Sequence, residues 1–119
     1  MTGAARLSTH VLDTGQGRPG AGVRVDVGHV QGDGSVRHLK TLSTDGNGRA
    51  VVLESREMTA GTFVLTFHVA EYFRAAGLAA SAPPYLDLVP VRFTISDPTA
   101  HYHVPLLVSP WSYTTYRGS

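Results

Sequence analysis

Apolar residues recur at every second position through most of this chain, and that period confines it to β architectures. Val23, Val25 and Val27 share one side of a segment whose other side carries Arg24 and Asp26. Phe63, Leu65, Phe67 and Val69 repeat the pattern against Thr62, Val64, Thr66 and His68. Val89, Val91, Phe93 and Ile95 form a third set, and Tyr102, Val104, Leu106 and Val108 a fourth. Alternation rich in β-branched and aromatic residues is the signature of strands that bury one face. Turn chemistry falls between them, at Gly15 to Gly22, Gly32-Asp33-Gly34, Asp45-Gly46-Asn47-Gly48 and Ser96-Asp97-Pro98.

The spacing predicts eight strands, over residues 7–13, 23–30, 36–42, 49–53, 61–69, 88–95, 101–109 and 112–117. Pro90 and Pro105 each remove a ladder donor, so their strands should run at a sheet edge or carry an irregularity there. One short helix fits, Glu71 to Ala76, stopped by Gly77 and leading into a loop from Ala79 to Pro84. The expected fold class is all-β, a β-sandwich with one decorating helix. With 119 residues and neither repeats nor a linker, residues 1–119 are read as a single domain.

Composition narrows the function classes. The chain has no cysteine, which excludes a disulfide framework and a thiolate zinc site. Ten basic residues against nine acidic ones are scattered along it, leaving no electrostatic footprint for nucleic acid. No apolar run approaches the ~18 residues of a membrane span. The first residues lack the charged and apolar regions of a secretory leader, so a cytoplasmic location is expected.

Three places set polar groups against the sandwich pattern. On Leu7-Ser8-Thr9-His10-Val11-Leu12-Asp13, His10 shares a side with Ser8 and Leu12. On His101-Tyr102-His103-Val104-Pro105-Leu106-Leu107, the side opposite the core carries His101, His103, Pro105 and Leu107. A strand apolar on both sides is usually covered on both sides, and in a chain this small the second cover is expected to be another subunit. The third place is the terminal Tyr113-Thr114-Thr115-Tyr116-Arg117-Gly118-Ser119, which alternates like a strand where free ends are usually frayed. His29 and His38 read as surface histidines and His68 as a structural one. His101 and His103 form an HxH pair that could begin a zinc site with His10 as third ligand. No carboxylate stands near the pair to orient it, and no metal is assigned.

Together, the segments around His10 and His103, Gly48-Arg49 and the terminal Tyr116-Arg117-Gly118-Ser119 resemble the 5-hydroxyisourate hydrolase family, transthyretin-like enzymes of urate catabolism. The resemblance spans essentially the whole chain, including Gly17-Arg18-Pro19 and Glu71-Tyr72-Phe73. It implies a homotetramer, a dimer of dimers of eight-stranded transthyretin-like sandwiches, with active sites in the channel where two dimers meet. It implies that His10, Arg49 and His103 are catalytic and that Tyr116, Arg117, Gly118 and Ser119 contact substrate. No metal or organic cofactor is implied. Trp111-Ser112 and Thr114-Thr115 depart from the commoner family residues and flank the channel mouth.

The expected reaction opens the six-membered ring of a planar oxidised purine with water, giving 2-oxo-4-hydroxy-4-carboxy-5-ureidoimidazoline. Imidazoles suit the proton transfers, typically worth ~10²–10⁴ in rate. A guanidinium suits the developing oxyanion. The competing expectation is a non-catalytic transthyretin-like carrier of a small ligand. Two histidines and an arginine facing the ligand argue against it, since an apolar aromatic has little use for them.

Overall fold

The computed structural model describes residues 5–78 and 82–119. Residues 79–81 of the expected loop, and residues 1–4, lie outside them. In chain order the elements are β1 (Leu7–Asp13), β2 (Arg18–Pro19), β3 (Arg24–Val30), β4 (Val36–Ser43), β5 (Arg49–Leu53), a 3₁₀ turn (Ser55–Glu57), β6 (Gly61–Phe67), α1 (Val69–Ala75), β7 (Val89–Ile95), β8 (Tyr102–Val108) and β9 (Tyr113–Thr115). Eight of these strands fall on the expected segments. The ninth, β2, is a two-residue pairing of Arg18 and Pro19 with Asp13 and Leu12, inside what reads as a turn.

Two sheets face one another. One has the order β4-β3-β6-β7, and the other runs β2-β1-β8-β9 with β5 also on β1. Strand β1 is shared along its length, its first half pairing with β5 and its last residues with β2. Its other edge pairs in parallel with β8, the one long-range parallel ladder in the sheet. Between the sheets lie Leu7, Val11, Val104, Leu106 and Val108 from one side and Val25, Val27, Phe63, Leu65, Phe67 and Ile95 from the other, all nearly inaccessible. Burial alternates strictly along β1, as the period of two requires. This is an all-β sandwich.

The helix begins two residues earlier than the sequence pattern indicates, and β6 ends at Phe67 rather than at residue 69. His68 leaves the extended conformation with ψ 72°, and its imidazole Nε2 donates to Asp26 Oδ2 at 2.7 Å. Val69 is buried in either conformation, so alternation alone could not place the end of the strand. In α1 it joins Ala70 and Phe73 as the helix's buried residues, and Val69 and Phe73 enter the core. Gly77, with φ 76°, ends the helix as expected of a left-handed stop.

Both prolines sit where a missing donor is tolerated. Pro90 is on β7, the edge of its sheet. Pro105 lies inside the other sheet, between β1 and β9, and interrupts the second ladder: β9 pairs with β8 up to Thr115–Leu106, and pairing resumes only at Gly118–His103. Among the described residues, no helix is long and apolar enough to cross a membrane.

Candidate active site

The outer face of the β1/β5/β8/β9 sheet carries the polar groups. The parallel register sets Ser8 beside His103, and the antiparallel one sets His10 beside Arg49. Because side chains alternate along a strand, Ser8, His10, Arg49 and His103 all leave the sheet on the side away from the core. Ser8 Oγ lies 2.8 Å from His103 Nδ1 and 3.2 Å from His101 Nε2, so one hydroxyl stands between the two imidazoles of the HxH pair. His10 Nε2 donates to the Asn47 carbonyl at 3.1 Å.

Arg49 follows a tight turn that Asp45 organises. The Asp45 carboxylate accepts the N–H of Asn47 at 2.8 Å and of Arg49 at 3.0 Å, while Gly48 supplies φ 76°. Those two bonds, with the positive charge of Arg49 and His10, hold the Asp45 carboxyl below its ordinary pKa. The turn thus fixes the backbone from which the guanidinium projects.

The C-terminal tail returns to this place across Pro105. Thr115 Oγ1 donates to the Pro105 carbonyl at 2.8 Å, and Gly118 N–H donates to the His103 carbonyl at 2.8 Å. Gly118 is there because nothing larger fits: a Cβ on it would stand 2.6 Å from His103 Cδ2. The result is an open cleft of about 320 Å³, lined by Arg6, Ser8, Thr9, Asp45, Arg49, Ala50, Val51, His101, His103 and Ser119. An adjoining cleft of about 310 Å³ is lined by Tyr116, Arg117, Tyr102, Thr115 and residues of β7, with His103 the wall common to both.

The fold therefore brings Arg49, His103 and Ser119 into one cleft. His10 stands next to that cleft, across the ladder from Arg49. Gly118 packs on the imidazole of His103, while Tyr116 and Arg117 face the neighbouring depression. The cleft also takes in Ser8, Asp45 and Arg6, which the sequence did not mark as site residues, and His101, which it marked only as half of a possible metal-binding pair. Ser8 had a usable signal, since it sits two residues before His10 on the same strand face. Arg6 had none.

Burial pushes the His103 imidazole below its ordinary pKa, and the positive charge of His10, His101 and Arg49 adds to the effect. A half-buried imidazole kept neutral near pH 7, one nitrogen engaged by a hydroxyl and the other free, is equipped to accept a proton. The guanidinium of Arg49 offers a fork of donors to a carbonyl or oxyanion. Among the described residues, no three His, Asp or Glu side chains come together to hold a metal ion.

A two-sheet sandwich with this polar outer face is a transthyretin-like domain. Residues 7–118 match the model of the HIUase/Transthyretin family, and the chain belongs to that family. It is 49% identical, over the full length of both chains, to the 5-hydroxyisourate hydrolase of Deinococcus radiodurans. The structure of Klebsiella pneumoniae 5-hydroxyisourate hydrolase is similar, with TM-score 0.80 and 31% identity over 97% of this chain and 99% of that one. Sea bream transthyretin in complex with thyroxine superposes as well, with TM-score 0.84 and 28% identity over 96% of this chain and 95% of that one. Backbone shape is thus common to a hydrolase and a thyroxine-bound transthyretin, and the side chains of the site must decide between them.

Proposed function

We propose that this protein hydrolyses 5-hydroxyisourate, with His103 as the general base for the attacking water and Arg49 stabilising charge on the attacked carbonyl. The observation that carries the reading is the cleft itself, which joins a neutral-leaning imidazole, a guanidinium and the chain's terminal serine. Strong identity to hydrolases over the full chain supports it.

In this mechanism Nδ1–H of His103 donates to Ser8 Oγ, which fixes the ring and leaves Nε2 free to take a proton from water. Water adds to a ring carbonyl, whose oxygen gathers negative charge against Arg49. Collapse of the adduct breaks the ring C–N bond, and the nitrogen leaves with the proton that His103 carries. The attacked carbonyl becomes the carboxylate of the product, 2-oxo-4-hydroxy-4-carboxy-5-ureidoimidazoline, and the freed nitrogen its ureido group. His10, across the ladder from Arg49, completes the catalytic group as a second imidazole coupled to His103. Gly118 and Ser119 present backbone groups to the flat ring, with Tyr116 and Arg117 at its margin.

The face that carries these residues also exposes Leu12 and Leu107 in part. Apolar side chains beside a polar site favour a second copy as cover, so the assembly we propose is a homotetramer, a dimer of dimers acting on a small molecule in the cytoplasm. No cofactor enters the mechanism.

The test is turnover of freshly generated 5-hydroxyisourate, followed by its ultraviolet absorbance and by the chirality of the product. Catalysis should accelerate decay over buffer and give one enantiomer, because the uncatalysed reaction yields a racemate. A decay rate equal to that in buffer, with tight binding of an aromatic ligand, would overturn the hydrolase reading in favour of a carrier.

A further inference from the structure

We propose that Tyr102 is a positioning residue: its ring carries the Arg117 guanidinium and so holds the C-terminal tail against His103. The inference rests on His103 belonging to the reactive cleft.

The need for such a device follows from Pro105. Lacking an N–H, this residue opens a gap in the β8–β9 ladder between Thr115 and Gly118. Across that gap Tyr116 and Arg117 make no ladder bond, and a chain end without ladder bonds is free to fray. Yet beyond the gap Gly118 is again in register, its N–H on the His103 carbonyl and its α-carbon against the imidazole. Something must hold the two intervening residues.

The Arg117 guanidinium carbon lies 4.2 Å from the centre of the Tyr102 ring, within the range of a cation–π contact. That ring is itself fixed. Only 4% of Tyr102 is exposed, and its phenolic oxygen accepts the N–H of Ser96 and of Asp97, each at 3.1 Å. The chain from the Ser96–Asp97 turn through the buried ring to Arg117 thus ties the tail to the sandwich core. Tyr102 also immediately precedes His103, so the anchor and the imidazole move as one rigid strand. In this arrangement Arg117 acts on the tail, and its charge faces the ring of Tyr102 rather than the cleft that holds Ser119.

The experiment reads tail order and catalysis separately. Amide exchange of Gly118 is measured by NMR in the wild-type protein, Arg117→Ala, Tyr102→Leu and the double variant, alongside kcat and KM for 5-hydroxyisourate. We expect each single change to speed Gly118 exchange roughly tenfold and to lower kcat in proportion with KM nearly constant. The double variant should be no worse than either single one, since both break one contact. Tyr102→Phe, which keeps the ring, should retain most of the protection. If Tyr102→Leu does not fold, Arg117→Ala and Tyr102→Phe still decide. Unchanged Gly118 exchange in Arg117→Ala, with only KM raised, would overturn the inference and make Arg117 a direct substrate contact. Exchange needs no turnover, so a wild-type protein that fails to hydrolyse 5-hydroxyisourate would refute the proposed function and leave this measurement to judge the anchor.

Discussion

Adding one methyl group at Gly118 should impair the site without unfolding the protein. The new Cβ of Gly118→Ala would stand 2.6 Å from Cδ2, 3.2 Å from Cγ and 3.3 Å from Cβ of His103. Ordinary carbon contacts begin near ~3.5 Å, so the imidazole or the tail must yield by roughly 1 Å. If the ring turns, Nδ1 leaves Ser8 Oγ; if the tail lifts, Gly118 N–H leaves the His103 carbonyl. Overpacking costs about 1–3 kcal/mol where a well-packed core cannot yield, but here the tail can lift to relieve the overlap, and a misplacement of ~1 Å at reacting groups can cost ~10² in rate. The expected result is a kcat about 10- to 100-fold lower for 5-hydroxyisourate, followed by ultraviolet absorbance. The urea midpoint should hardly move, because Gly118 lies at the chain end and outside the buried core. A Gly118→Ala protein with kcat within twofold of wild type would show that the tail does not set the His103 geometry.

Four further outcomes are expected. Burial and neighbouring positive charge hold His103 below its ordinary pKa of 6.5, so the acid limb of a kcat/KM profile should fall below that pH, and His103→Ala should abolish it. The same depression means that the unfolded chain binds the proton more tightly, so this group's contribution to stability is lost as pH falls through and below 6.5, which urea titrations at several pH values would detect. Thr44, 4% exposed, accepts the Val23 N–H at 2.9 Å and donates to the Gly20 carbonyl at 2.6 Å; Thr44→Val leaves both backbone groups unmatched and should cost about 2–3 kcal/mol by urea denaturation at fixed protein concentration. Because Ser119 lines the cleft, a peptide extension after it should remove most of the activity, and its proteolytic removal should restore turnover in the same assay.

Alternation with a period of two was enough to place eight strands and, on four of them, to say which residues face the core, because that information is local. It also put Ser8 and His10 on the outer side of β1 and His103 on the outer side of β8. Where it failed, the local signal was ambiguous: Val69 is buried as a strand residue or as a helix residue, and Arg18-Pro19 carries too few residues to alternate. The family resemblance supplied His10, Arg49, His103 and the terminal four residues as a group, without saying how they meet.

How they meet is a matter of register. Ser8 and His103 are 95 residues apart in sequence, and only the parallel β1–β8 ladder brings hydroxyl to imidazole. A slip of one residue would turn every core side chain of β1 to the outside, so burial of Leu7 and Val11 is what fixes that register. The division of the tail between two clefts has the same non-local origin. It follows from a proline on β8, a glycine that admits His103, and a buried tyrosine placed under an arginine by the strand pairing. The sequence by itself determined the faces of the strands, since adjacent side chains must point in opposite directions. Tertiary structure decided which faces touch, since that depends on closing loops of many tens of residues around one shared core.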